Sequence, residues 1–370
     1  VNLFNSAFFR KYLLPGFVFQ SVVIAGGYGT GRELVEYFLN YGPLGGVLGM
    51  FLFTTLIWSV LLAVTFEFAR IFKTYDYRSL FLQLLGQFWF LFEILYFILL
   101  IIVLAVVGSA AGILLRDNFG IPYFVGVLII FAAIGFLAFK GSRLIEKFLS
   151  SVSILLYIVF GIFLIISVAK HGTVIQQKFS EAIIQPGWTI GGLKYALYNI
   201  AVIPAVLFCT KNLETRKEAI TAGLIAGVIG ILPGALILCA LVAHYPSILP
   251  EEIPVVFALS KIEFPSFMYL YQIVLFGALV TTGIGFIHSV NERLQSTFHA
   301  KGKPFPQVAR PIVAIGLLLL GSVLSTFGLI QLVARGYGTA SYGVFLVYVF
   351  PMVTLGLYKL VCERRSHSVK

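Results

Sequence analysis

One short stretch, Ala25-Gly26-Gly27-Tyr28-Gly29-Thr30-Gly31, carries most of the candidate chemistry, and Arg32 and Glu33 follow it at once. Four glycines between positions 26 and 31 forfeit helix propensity. Backbone that leaves helical hydrogen bonding at membrane depth is tolerated only where protein buries it or where it lines a wet cavity. The spacing therefore predicts an unwound segment over 25–31. A half-helix restarting near Thr30 would aim free N–H groups and a positive dipole end at a carboxylate or another anion. The unwound carbonyls would suit a cation. The competing reading is a small-residue patch for close helix packing. Charges next to the glycines favour the wet site, because ionisable side chains in a membrane mark an aqueous pathway by default.

Two further segments belong with the first. Tyr198-Asn199-Ile200-Ala201-Val202-Ile203-Pro204 sets an amide and a proline in an apolar run. Pro204 removes a backbone donor and disfavours helix at Ile203; an ordinary proline kink is the alternative. In Ala278-Leu279-Val280-Thr281-Thr282, two hydroxyls and a carbonyl are spaced to offer hard oxygens to sodium, unless the threonines bond back to their own helix. Glu33 and Glu36, three residues apart, are proton carriers or neutralise Arg32. Glu93 is a buried carboxylate candidate in the third helix.

These segments need long apolar helices to position them, and the composition supplies them. The 370 residues are 59% hydrophobic and 11% charged, with a mean hydropathy of +0.99, which points to a polytopic all-α membrane protein. Ten helices are expected, at 13–39, 43–72, 88–115, 119–139, 144–169, 188–210, 217–245, 265–295, 308–327 and 329–361. Pro250-Glu251-Glu252 predicts a short helix in the loop 246–264. The net charge of +11 does not imply nucleic acid, because the basic residues sit in short loops. With residue 1 placed inside, loop Lys and Arg favour that side roughly threefold. The expected placement is the cell (inner) membrane, multi-pass, with both termini cytoplasmic. Val1-Asn2-Leu3-Phe4 does not read as a signal peptide. Three cysteines without a CxxC pair and five scattered histidines imply no disulfide or zinc framework, and no cofactor is expected. Neither a nucleophile–base set nor a phosphate loop argues for an enzyme, and no filter-like loop argues for a channel. The chain reads as one transmembrane domain over 1–370, with repeat one at 13–170 and repeat two at 187–361. Interrupted segments at matching positions of two halves point to a transporter site at the midplane. Oligomeric state leaves no trace in the sequence.

The order of elements and the breaks in helices one and six resemble the LeuT fold of the amino acid–polyamine–organocation (APC) superfamily. The stretch from Ala25 to Tyr37 is most similar to the YkvI-like bacterial membrane proteins. The resemblance implies a 5+5 inverted repeat in which helices one and six cradle the substrate. Gly27, Gly29, Thr30 and Gly31 would then line its anionic end, opposite Tyr198 and Asn199. It also implies a sodium site formed by Ala278, Thr281 and Thr282 with the carbonyls of Ala25 and Tyr28, or of Val23 and Gly26 in the other register. Arg32, Glu33, Glu36 and Glu93 are the gate or proton candidates. The implied function is secondary active transport of a small amino-acid-like or other carboxylate-bearing solute, by alternating access and with sodium as the favoured coupling ion. The alternatives are proton coupling on the same fold and a transporter-like sensor without turnover.

Overall fold

A computed structural model describes residues 6–140, 142–300, 302, 306 and 309–368. Among the described residues every regular element is helical. They are α1 Leu14–Thr30, α2 Arg32–Tyr37, α3 Pro43–Phe72, α4 Tyr77–Leu85, α5 Phe90–Phe119, α6 Tyr123–Lys140, α7 Ser142–Ser180, α8 Trp188–Asn199, α9 Arg216–Val242, α10 Pro254–Ile262, α11 Pro265–Ala300, α12 Ala309–Ser325 and α13 Leu329–Glu363. Six helical stretches among the described residues are long and apolar enough to cross a bilayer: α3, α4–α5, α9, α13, Leu155–Ser180 of α7 and Pro265–Gln295 of α11. Tyr123–Leu137 and α12 are shorter apolar helices. The expected crossings 13–39 and 188–210 are the interrupted ones.

Lipid is as apolar as a protein core, so these helices do not sort by hydrophobicity alone. Ile165, Ile273, Leu319 and Val323 face outward, whereas Trp58, Phe66 and Tyr195 are wholly buried. Small residues decide which helices touch. On α9, a Cβ at Gly223 would fall on the backbone of Ala63, and one at Gly227 on that of Ser59. Helix α3 can therefore lie directly against α9, and the Ser59 hydroxyl donates to the Leu224 carbonyl at 3.0 Å.

Both interruptions have local causes, and the first lies later than expected. α1 stays helical through Gly26, Gly27 and Gly29, and ends at Gly31, whose φ of +76° is the left-handed conformation a glycine adopts most cheaply. Gly27 and Gly29 are spent on close packing: a Cβ at Gly29 would meet Leu275 at 2.7 Å. In the second interruption α8 ends at Asn199. Short 3-10 segments then run over Ile200–Ala205 and Leu207–Asn212, and no α-helix resumes before α9. Pro204 thus marks a true loss of α-helical bonding, and the helix expected over 188–210 is α-helical only to Asn199. Elsewhere α7 runs to Ser180 through a kink at His171, beyond the expected end at 169. The loop helix starts at Pro254, not Pro250.

Candidate functional site

The two interruptions meet beside a cavity. Its walls come from α1 (Val22, Val23, Gly27), α2 (Glu33), α5 (Tyr96, Val103), the α8 junction (Tyr198, Asn199), α11 (Thr282, Phe286) and α13 (Tyr337). Among the described residues Glu33 is the only charged side chain on the wall. It is 5% exposed and accepts a hydrogen bond from the Tyr198 hydroxyl. A Cβ at Gly27 would land on the Glu33 carboxylate, so the glycine leaves the volume that the acid occupies. Tyrosines surround the acid: Tyr198 stacks on Tyr337 with ring centroids 4.6 Å apart, and Tyr37 lies 5.5 Å from Tyr198. Deeper in, Tyr28 and Tyr195 stack at 6.3 Å with both hydroxyls buried.

Several expected site residues fall elsewhere. Of the expected substrate set, Gly27, Tyr198 and Asn199 line the cavity, whereas Gly29, Thr30 and Gly31 do not. The Gly29 carbonyl accepts from the Tyr271 hydroxyl at 2.8 Å. The Thr30 hydroxyl donates to the Gly27 carbonyl at 3.2 Å and accepts from the Arg32 amide at 3.3 Å. Gly31 abuts Val255 and Leu241. The anion cradle expected from free amides at 29–31 is therefore not on the cavity wall. Asn199 faces the space but donates its amide to the Tyr195 carbonyl at 3.1 Å.

The acidic residues separate into three roles. Arg32, 2% exposed, pairs with Glu36 at 2.9 Å. It also donates to the Leu249 and Glu251 carbonyls at 2.8 and 3.0 Å. This clamp closes the end of the molecule that carries the segment 246–253. Glu33, three residues before Glu36, turns instead to the cavity. Glu93 corrects its expectation as a buried acid: its side chain is 24% exposed and pairs with Arg293, and it accepts from the Tyr77 hydroxyl at 3.2 Å. That pair lines a largely apolar crevice of about 2360 Å³ on the opposite end, with Phe90 and Pro204. Tyr96 borders both spaces.

On α11, the Thr281 and Thr282 hydroxyls both donate to the Ala278 carbonyl, at 2.7 and 2.9 Å, the back-bonded arrangement. Thr282 also borders the cavity. The Tyr28 carbonyl accepts from the Gly31 amide at 3.1 Å. The backbone of Ala25 is helical, and its side chain lies outside the described residues. Among the described residues no three His, Cys, Asp or Glu side chains come together as a metal site.

Sequence reasoning missed Tyr96, Phe286 and Tyr337. Tyr337 closes a π-helical turn, Leu332–Tyr337, a distortion frequent at functional sites. The signal was present: Gly336-Tyr337-Gly338-Thr339 repeats Gly27-Tyr28-Gly29-Thr30.

No protein-family profile matches the chain. It is 26% identical over 305 residues to the membrane protein YkvI of Bacillus subtilis (strain 168), an overlap of 78% of this chain and 82% of that one. Among solved structures it is similar to a Na+-coupled sialic acid symporter in a substrate-bound outward-open state. That match has a TM-score of 0.60 at 15% identity and covers 92% of this chain and 78% of the other. It is also similar to the Eremococcus coleocola manganese transporter, with a TM-score of 0.51 at 14% identity, covering 93% and 78%. These neighbours are transporters, not enzymes. The chain has the all-α LeuT fold, and in sequence it resembles the YkvI-like bacterial membrane proteins.

Proposed function

We propose that the chain is a sodium-coupled secondary transporter of a small solute of amino-acid size, working by alternating access in the cell (inner) membrane with both termini cytoplasmic. The observation that carries the proposal is the cavity at the junction of two interrupted helices. It is closed by Arg32 on one end and separated by Tyr96 from a crevice on the other. In this reading 13–170 and 187–361 are inverted repeats, and α1 to α3 with α8 and α9 rock against the remaining helices. Arg32 and Glu36 form the outer gate, and Glu93 and Arg293 the inner one.

The coupling ion would sit between α1 and α11, which touch where Tyr271 and Leu275 meet Gly29. Ala278, Thr281 and Thr282 would supply oxygens from one side, and the carbonyls of Ala25 and Tyr28 from the other. Each threonine donates its proton to Ala278 and so keeps lone pairs for a cation. The ion can bias the conformational equilibrium only by binding one form better. Gly27, Tyr198 and Asn199 hold the solute, with Gly29, Thr30 and Gly31 shaping the break behind them.

Proton coupling is the second reading, favoured by the buried Glu33–Tyr198 pair. Uptake into liposomes separates the two. A sodium gradient should drive accumulation, and Thr281→Ala combined with Thr282→Ala should abolish the sodium dependence. Uptake driven by a pH gradient alone would transfer the coupling to Glu33. Ligand binding without uptake under either gradient would leave a sensor.

A further inference from the structure

Among the described residues the cavity wall has one charge and no counter-charge. Glu33 carries a hydrogen bond from Tyr198 and, among the described residues, no ion pair. The nearest arginine in sequence, Arg32, directs both terminal guanidinium nitrogens to Glu36, Leu249 and Glu251 and makes no ion pair with Glu33. Burying a carboxylate without a cation costs several kcal/mol, so Glu33 takes a proton in the empty site and is ionised when a positive group lies against it. Sodium prefers several hard oxygens around it, whereas most of this wall is Val22, Val23, Leu99, Val103, Val106 and Phe286. Beside the acid stand the rings of Tyr198 and Tyr337, and aromatic faces attract desolvated organic cations.

We propose that Glu33 is the counter-ion for a protonated amine on the transported solute, and that this solute is an amine with an apolar body. Glu33 binds the ammonium group, Tyr198 holds the carboxylate in place through its hydroxyl, Tyr337 covers the cation, and the aliphatic wall takes the carbon skeleton. The anion cradle first expected from the helix-one glycines is absent from the wall, and the charge actually present selects the opposite sign. This inference rests on the transporter reading of the same cavity.

The test uses the full chain, purified in lipid nanodiscs, with primary amines from isoamylamine to phenethylamine. Each amine is matched to the alcohol and the carboxylate of the same skeleton. Thermal shift and calorimetry read binding. At least one amine should bind about tenfold or more tightly than its alcohol, as befits a charge-assisted hydrogen bond, with the carboxylate weaker still. Glu33→Gln should erase the preference for amine over alcohol, and Glu33→Asp should keep it. Tyr337→Leu should weaken the amine more than the alcohol, a readout independent of whether Glu33→Gln folds. The proposal is overturned if carboxylates bind best, if no amine exceeds its alcohol, or if Glu33→Gln keeps the amine preference. Failure of transport is separate. Amine binding without gradient-driven flux removes the transporter and keeps the amine site, and flux of a carboxylate does the reverse.

Discussion

Replacing Arg32 with alanine should release one end of the molecule. Arg32 is 2% exposed, and its two terminal guanidinium nitrogens donate to Leu249, Glu251 and Glu36 at 2.8, 3.0 and 2.9 Å. Hydrogen bonds from a charged group contribute about 1.5–3 kcal/mol each, and removing one partner of a buried ion pair costs about 3–5 kcal/mol. The Glu36 side chain is 21% exposed and can be rehydrated in part, so the lower end, about 3 kcal/mol, is the working figure. At about 1.4 kcal/mol per factor of ten, local opening should become roughly a hundredfold more frequent. The amides of Ile248, Leu249 and Glu251 report on it directly, because each is held in a turn within the clamped segment. Hydrogen exchange of 246–253, with α9 peptides as an internal reference, is the assay. Arg32→Lys should fall between wild type and alanine, because lysine keeps the charge but loses the planar fork. If exchange in 246–253 is unchanged in Arg32→Ala while α9 keeps its protection, Arg32 does not hold this end shut.

Gly27→Ala should abolish ligand binding in the cavity without lowering the melting temperature. Its methyl group takes the place of the Glu33 carboxylate, while alanine is a better helix residue by about 1 kcal/mol; normal binding in this variant would remove Gly27 from the site. Gly227→Val should cost about 1–3 kcal/mol by forcing α9 off Ser59. Gly161→Val, with open space at its Cβ, should be near neutral, and equal melting temperatures for the two would refute the packing account. His244, just past α9, is pushed down from 6.5 to about 4, chiefly by burial and then by His171 and Lys261. Its neutral form is the folded one, so its contribution is complete above pH 6.5 and is lost as pH falls toward 4. Thermal unfolding from pH 7 to 4 should therefore flatten in His244→Phe; an unaltered profile would exclude this histidine.

The helical class, the lengths of α3 and α9, and the existence of two interruptions were legible because apolar runs and prolines act locally. The exact break was not. Gly27 and Gly29 look like helix breakers in a sequence, yet tertiary neighbours use their missing side chains: Glu33 fills the space at Gly27, and Leu275 approaches Gly29. Only Gly31 takes a conformation that requires glycine. The separate fates of Glu33 and Glu36 were equally hidden. Three residues apart on one helix, they differ because Leu249 and Glu251, more than two hundred positions along the chain, draw Arg32 and with it Glu36 outward. Tyr337 enters the cavity from the last helix, and the repeated Gly-Tyr-Gly-Thr does not by itself say that the two segments meet.

Pro233 lies inside α9 and has no N–H to give, so the helical partner of the Ile229 carbonyl is missing. Gln20 of α1 supplies the donor at 2.8 Å, and its own amide oxygen accepts from Tyr157 of α7 at 2.9 Å. Apolar contact between smooth helices resists separation but hardly resists sliding or rolling. A vacancy in one ladder, answered by a side chain from the next, works as a dowel: it fixes depth and rotation at one point while leaving tilt about that point comparatively free.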